Sequence, residues 1–177
     1  LCQEITLPTY PLSHIDDHLG EIALCILSAV NVGKIRSDEE LEELCDLSVR
    51  GLEELIDYQE YPVKAAELAT KARRSLGVGF IGLAHYLAKL GYKYESQEAW
   101  DAVHGLAESF QYYLIKSSNE IAKEKGWCEN FGRTKYSDGI LPIDTYKKDV
   151  DEICSQPLQH DWESLRASIL EHGLRHS

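Results

Sequence analysis

Residues 20–32, Gly-Glu-Ile-Ala-Leu-Cys-Ile-Leu-Ser-Ala-Val-Asn-Val, are apolar almost without interruption and run into Gly33. A short run of this kind, lacking polar alternation, suits a strand over residues 21–32 buried on both faces; its length does not exclude a buried helix. A second stretch at residues 75–80, Ser-Leu-Gly-Val-Gly-Phe, reads as another short strand. Most of the remaining chain reads as helix.

Ser37 starts the first helix, with Glu40 three residues later completing a capping box and acids crowding the positive end of the dipole. Leu41, Leu44, Cys45, Ser48, Leu52, Leu55 and Ile56 follow the i, i+3, i+4, i+7 rhythm, so this stripe is expected to face a core. Cys45 lies on it and reads as a small buried hydrophobe. Residues 63–72 are rich in helix formers, and residues 83–90 form a short helix closed by Gly91. Ser96 caps the longest helix, running to Lys125 before Gly126. Residues 130–142 read as loop and 143–153 as a short helix. Asp161 caps the last helix, with Trp162, Leu165, Ile169 and Leu170 expected inward.

The chain has 177 residues, one domain's worth, and a net charge of −12, which disfavours a nucleic-acid polymer as partner. No apolar run approaches the length of a membrane helix. Five cysteines, odd in number and without C-x-x-C, suit a reducing cytoplasm better than a disulfide scaffold. Methionine is absent, so an internal segment of a longer chain is expected.

Chemistry is suggested first by Leu1-Cys2-Gln3-Glu4-Ile5-Thr6-Leu7-Pro8. In an extended backbone the side chains of Cys2 and Glu4 share a face roughly 7 Å apart, close enough to reach two neighbouring atoms of one small ring. A thiyl radical on Cys2 could take a hydrogen atom from carbon while Glu4 takes the adjacent hydroxyl proton. Taken alone the C-x-E spacing is weak, and a buried thiol beside a surface acid is its plainer reading. Gly77-Val-Gly79-Phe-Ile-Gly82 matches the dinucleotide fingerprint, yet residues 65–74 read as helix and leave only Ser75-Leu76 for the strand it needs. Glycines that let a strand approach its neighbours closely are the competing account. His14, Asp16, Asp17 and His18, like His172 and His176, lack a complete ligand set and read as solvated surface.

Residues 1–8 and 20–32, Asp57-Tyr-Gln-Glu-Tyr-Pro62, RRSLGVGFIGLAHYLAKLG at 73–91, QYYLIKSSNEIAKEKG at 111–126, GILPIDTYKKDVD at 139–151 and residues 161–175 together resemble the large, catalytic subunit of class I ribonucleotide reductases, over essentially the whole length. The ILPIDTYKKD and DWESLRASILEHGLR strings look like the class that reduces nucleoside diphosphates. The resemblance implies a helix-dominated α/β fragment, residues 1–177, of a ten-stranded α/β barrel, containing the finger loop and about two barrel strands. It also implies the roles of three residues. Cys2 would carry the transient thiyl radical, Glu4 would take the 3′-hydroxyl proton, and Cys25 would be one of two cysteines that supply electrons and end as a disulfide.

The partner of Cys25, a diphosphate-binding loop after Ser177, the radical-relay tyrosines and the sites for dNTP and ATP effectors are all expected outside this segment. No cofactor or metal is expected within it, the radical coming from a metal-containing small subunit. The other expected partners are a ribonucleoside diphosphate, thioredoxin or glutaredoxin, and the rest of the large subunit. Two other readings stand beside this one, a non-catalytic helical scaffold and a nucleotide-binding module using Gly77 to Gly82.

Overall fold

The computed structural model describes residues 6–154 and 156–177. Strand β1, Ile26–Asn31, and strand β2, Leu76–Ile81, form a two-stranded parallel sheet in a register that pairs Ile26 with Leu76 and Asn31 with Ile81. Parallel neighbours need a crossover. Helices α1, Asp38–Tyr58, and α2, Lys64–Arg73, provide it. Helix α3, Leu83–Leu90, follows β2 through Gly82 and ends at Gly91, both glycines having positive φ. Helix α4, Gln97–Lys125, is the longest element; short turns, α5 (Pro142–Thr145) and α6 (Trp162–His172) complete the order.

Two cores hold these pieces. Val30, Val32, Leu41, Cys45, Leu106, Phe110 and Tyr113 join the sheet to α1 and α4, and Phe80 meets Phe110 edge-on with ring centroids 5.4 Å apart. Ile115, Leu141, Trp162, Leu165, Ile169 and Leu174 seat α6 against α4. Glu108, buried in α4, accepts hydrogen bonds from the backbone N–H groups of Gln159 and His160 and from Trp162 Nε1, which fixes the approach to α6.

The expected helix starts are present: Glu40 N–H donates to Ser37 Oγ, Ala99 N–H to Ser96 Oγ and Ser164 N–H to Asp161 Oδ1. The capping box is not closed as expected, because the Glu40 carboxylate accepts from the backbone N–H and guanidinium of Arg36, one residue before the cap. On α1 the buried stripe is Leu41, Cys45, Val49, Leu52, Glu53 and Ile56, while Leu55 is exposed. A four-residue step from Cys45 reaches Val49 rather than Ser48, and a further step reaches Glu53.

Three more expectations change. The strand expected over residues 21–32 is shorter, beginning at Ile26, and it is buried on one face: Val30 is 5% exposed and Leu27 65%. Among the described residues, helices cover only that face. Residues 143–153 are not one helix; α5 ends at Thr145 and a 3₁₀ turn spans Lys148–Glu152. Leu170 faces outward at the far side of α6 from Trp162, Leu165 and Ile169.

Candidate active site

Cys25 sits immediately before β1 as a half-buried free thiol. It borders an open cleft of about 960 Å³ between the sheet, the middle of α4 and the segment following α6. Ser28, Val78 and Gly79 contribute from the sheet, Gln111, Leu114 and Ser118 from α4, and Leu174, His176 and Ser177 from beyond α6. The structure thus places Cys25 on a cavity wall, where a thiol can meet a ligand. Cys2 and Glu4 lie outside the described residues.

Behind this cleft is a buried charged cluster. Glu53, 1% exposed, accepts from Arg175 Nε at 2.7 Å through one carboxylate oxygen, and from Arg74 Nε at 2.7 Å and His176 Nε2 at 3.0 Å through the other. Arg74 also reaches Asp57 and the carbonyl of Glu53. Arg74 is the α2 C-cap, in the left-handed region at φ 54°. A non-glycine residue is costly there, and the ion pairs are what hold it. Burial pushes the Glu53 carboxyl up, but hydrogen bonds from His176, Arg74 and Arg175 outweigh it and hold it below the ordinary carboxylate range.

His176 links this cluster to the cleft. Its Nδ1 lies 2.9 Å from Ser118 Oγ, which also accepts from the His176 backbone N–H. The carboxylate of Glu53 can only accept, so the consistent assignment puts the ring proton on Nε2 and leaves Nδ1 accepting from the Ser118 hydroxyl. Burial lowers the His176 pKa, and the neighbouring Arg74 and Arg175 charges add to that against the pull of Glu53. The imidazole is therefore neutral at pH 7. Ser177 closes the segment with N–H and hydroxyl hydrogen bonds to the Arg73 carbonyl.

The family model of the ribonucleotide reductase barrel domain matches residues 1–177. The chain belongs to the ribonucleotide reductase barrel-domain family. It is 59% identical over its full length to the ribonucleoside-diphosphate reductase subunit alpha of Haemophilus influenzae, and 55% identical to ribonucleoside-diphosphate reductase 1 subunit alpha of Escherichia coli K12. The subunit alpha of Enterobacteria phage T4 is 42% identical over 179 residues. In each case all of this chain is covered and 23% of the relative, so the chain spans about a quarter of these subunits' length.

The two adjacent parallel strands, with helices packed on one face, are consistent with part of an α/β barrel. The other described thiols are built differently from Cys25. Cys45 is packed in the first core, where burial pushes it up to about 12, and burial also raises Cys128. Cys154 donates to Asp101 Oδ1 at 3.3 Å. None of the three borders the Cys25 cleft.

The glycine fingerprint does not form a phosphate cradle. Gly77 and Gly79 lie within β2, which begins one residue before the first of them, and only Gly82 sits at the turn into α3. A side chain at Gly77 would overlap Leu27 of the neighbouring strand, which is the close approach that explains this glycine. Asp17 folds its own loop by accepting from Ser13 and Leu19, and His172 and His176 face different partners, Glu171 and the Glu53 cluster. Among the described residues no three His, Cys, Asp or Glu side chains gather as a metal site, and no helix is long and apolar enough to cross a membrane.

The Glu53 cluster was not singled out from sequence. Its one available signal was an acid on the buried stripe of α1, four residues after Val49.

Proposed function

We propose that residues 1–177 are one internal segment of the catalytic barrel of a ribonucleoside-diphosphate reductase large subunit. The whole enzyme then reduces ribonucleoside diphosphates to deoxyribonucleoside diphosphates for DNA precursor synthesis. The observation that carries this reading is identity of 59% across all 177 residues to a subunit of that name. The placement of Cys25 at the entry to a barrel strand, bordering a cleft, adds the geometry.

In this reading a thiyl radical on Cys2 takes the 3′-hydrogen atom of the ribose, and Glu4 takes the 3′-hydroxyl proton, helping the 2′-hydroxyl leave as water. Cys25 and a second cysteine outside this segment deliver two electrons and two protons and become a disulfide. Cys2 then returns the hydrogen atom to C3′ and is again a radical. Net, one ribonucleoside diphosphate and one dithiol give one deoxyribonucleoside diphosphate, one water and one disulfide. The radical originates on a metal-containing small subunit, thioredoxin or glutaredoxin restores the dithiol, dNTP and ATP effectors act elsewhere on the large subunit, and the setting is the cytoplasm.

The test uses the full large subunit with its small subunit, a ribonucleoside diphosphate and a dithiol reductant, with deoxynucleotide quantified. Turnover is expected in the wild type and none with Cys2→Ser, whose O–H bond is too strong to supply the radical. Deoxynucleotide formation by the purified Cys2→Ser enzyme would exclude Cys2, and an inactive wild-type complex would sink the reductase reading.

A further inference from the structure

Cys25 is the last residue before β1, and the segment that delivers it is fastened to α2 and the turn after it. Ile22 N–H donates to the Ala65 carbonyl in the first turn of α2 at 3.4 Å, and Ile26 N–H donates to the Ser75 carbonyl just beyond its last residue at 3.3 Å. The carboxylate of Glu21, in the same segment as Cys25, accepts from Arg73 Nε at 3.1 Å and from Arg73 Nη2 at 2.8 Å. With 11% of the Arg73 side chain and 21% of the Glu21 side chain exposed, this pair is shielded from the solvent screening that makes most surface ion pairs weak. The Glu21 backbone also exchanges two hydrogen bonds with Tyr10, at 3.0 and 3.1 Å. Glu21 is thus where the chain leading away from Cys2 and the chain leading to Cys25 are tied to α2.

We propose that Glu21 is a positioning residue for the redox step: by gripping Arg73 it fixes the strand entry that presents Cys25 to its partner cysteine. This deepens the reductase reading above and rests on it for the redox role of Cys25. A disulfide forms without strain only where the backbone already holds the two Cα atoms about 4.4–6.8 Å apart. When Glu21 loses its cation, residues 21–25 gain freedom that closing the disulfide must remove again, so the equilibrium moves toward the dithiol. Glu21 supplies neither electron nor proton, and its effect falls on that equilibrium and on the turnover that depends on it rather than on KM.

The full-length large subunit is equilibrated in mixtures of reduced and oxidised dithiothreitol, where two protein thiols and the cyclic disulfide exchange for one protein disulfide and the free dithiol. Alkylation and peptide mapping read the fraction of Cys25 in a disulfide at each ratio, and kcat and KM are measured with the small subunit. Glu21→Gln and Arg73→Gln are each expected to shift the equilibrium constant about tenfold toward the dithiol, about 30 mV in potential, and to lower kcat with KM within about twofold. The double variant is expected to shift it no further than either single one, because both remove one interaction. Arg73→Lys, which keeps the charge without the planar fork, is expected to give a smaller shift and decides the matter if the glutamine variants fail to fold. Glu67→Gln, which breaks two ion pairs confined to α2, with Lys64 and Lys71, is the comparison and is expected to leave the potential unmoved. An unchanged potential in the Glu21 and Arg73 variants, or an equal shift in Glu67→Gln, would overturn the proposal alone. Wild-type Cys25 recovered as free thiol at every ratio would instead remove the dithiol assignment of Cys25, and the proposal with it.

Discussion

Cys25 differs from the other described thiols in position rather than in residue type. It is half-buried at a cavity edge, whereas Cys45 is sealed in a core and Cys154 is engaged with Asp101. An enzyme deprived of external reductant is therefore expected to complete about one turnover per active site, with Cys25 recovered in a disulfide and Cys45, Cys128 and Cys154 free. Peptide mapping after that turnover reads the outcome directly, and Cys25 recovered as thiol would return it to a structural role. Glu4→Gln should lower the rate by about 10²-fold or more, on the scale of general base catalysis, with a far smaller effect on binding. A collapse of binding at normal turnover of bound substrate would make Glu4 a positioning group instead. How far the site was legible in the sequence follows the same divide. In a solid apolar run nothing local marks which thiol meets a cavity, so Cys25 was found through family resemblance. Glu53 stayed hidden because its partners come from α2 and from beyond α6, separations that periodicity does not register.

Helix boundaries were legible because each carries its own chemistry: Ser37, Ser96 and Asp161 accept from the first turn, and Gly91 and Gly126 take up positive φ at the ends of α3 and α4. Ser37→Ala should cost about 1 kcal/mol, seen as a lower denaturation midpoint with unchanged slope. Strand extent was less legible, since apolar residues 22–25 satisfy the same pattern without joining the sheet, and Glu21 before them bridges to Tyr10 instead. The two glycines of β2 separate packing from access. Gly77→Val drives its side chain into Leu27 and should destabilise by about 1–3 kcal/mol. A side chain at Gly79 meets nothing within 4 Å but borders the cleft, so Gly79→Val should leave the melting temperature nearly unchanged and raise the substrate KM. Equal loss of stability in the two variants would show that the open face of β2 is packed in the whole subunit.

Across the whole molecule, the buried cluster couples stability to pH. His176 has a folded pKa below its ordinary value of 6.5, so the unfolded chain binds the extra proton first. Stability from the neutral ring is complete above about pH 6.5 and is lost as pH falls toward the folded value. Glu53, also lowered, adds a further loss below its ordinary 4.5, as the unfolded carboxylate protonates first. In the full subunit, the protection of residues 160–177 against hydrogen exchange, corrected for the intrinsic rate, should fall as pH drops below about 6.5, and His176→Gln should flatten that fall. A rising protection over the same interval would reverse the sign of the linkage. The parallel pairing of β1 with β2 has a consequence in time. Ile26 meets Leu76 only after α1 and α2 have spanned the gap, and Glu53 meets Arg175 across 122 residues, so both closures are entropically slow compared with helix formation. The helices form before the cavity does, and the amides of α1 and α4 gain protection ahead of those of β1 when refolding is pulse-labelled. A nascent chain is therefore expected to pass through a stage of helices without the cleft, in which Cys25 is not yet enclosed by the walls it later borders.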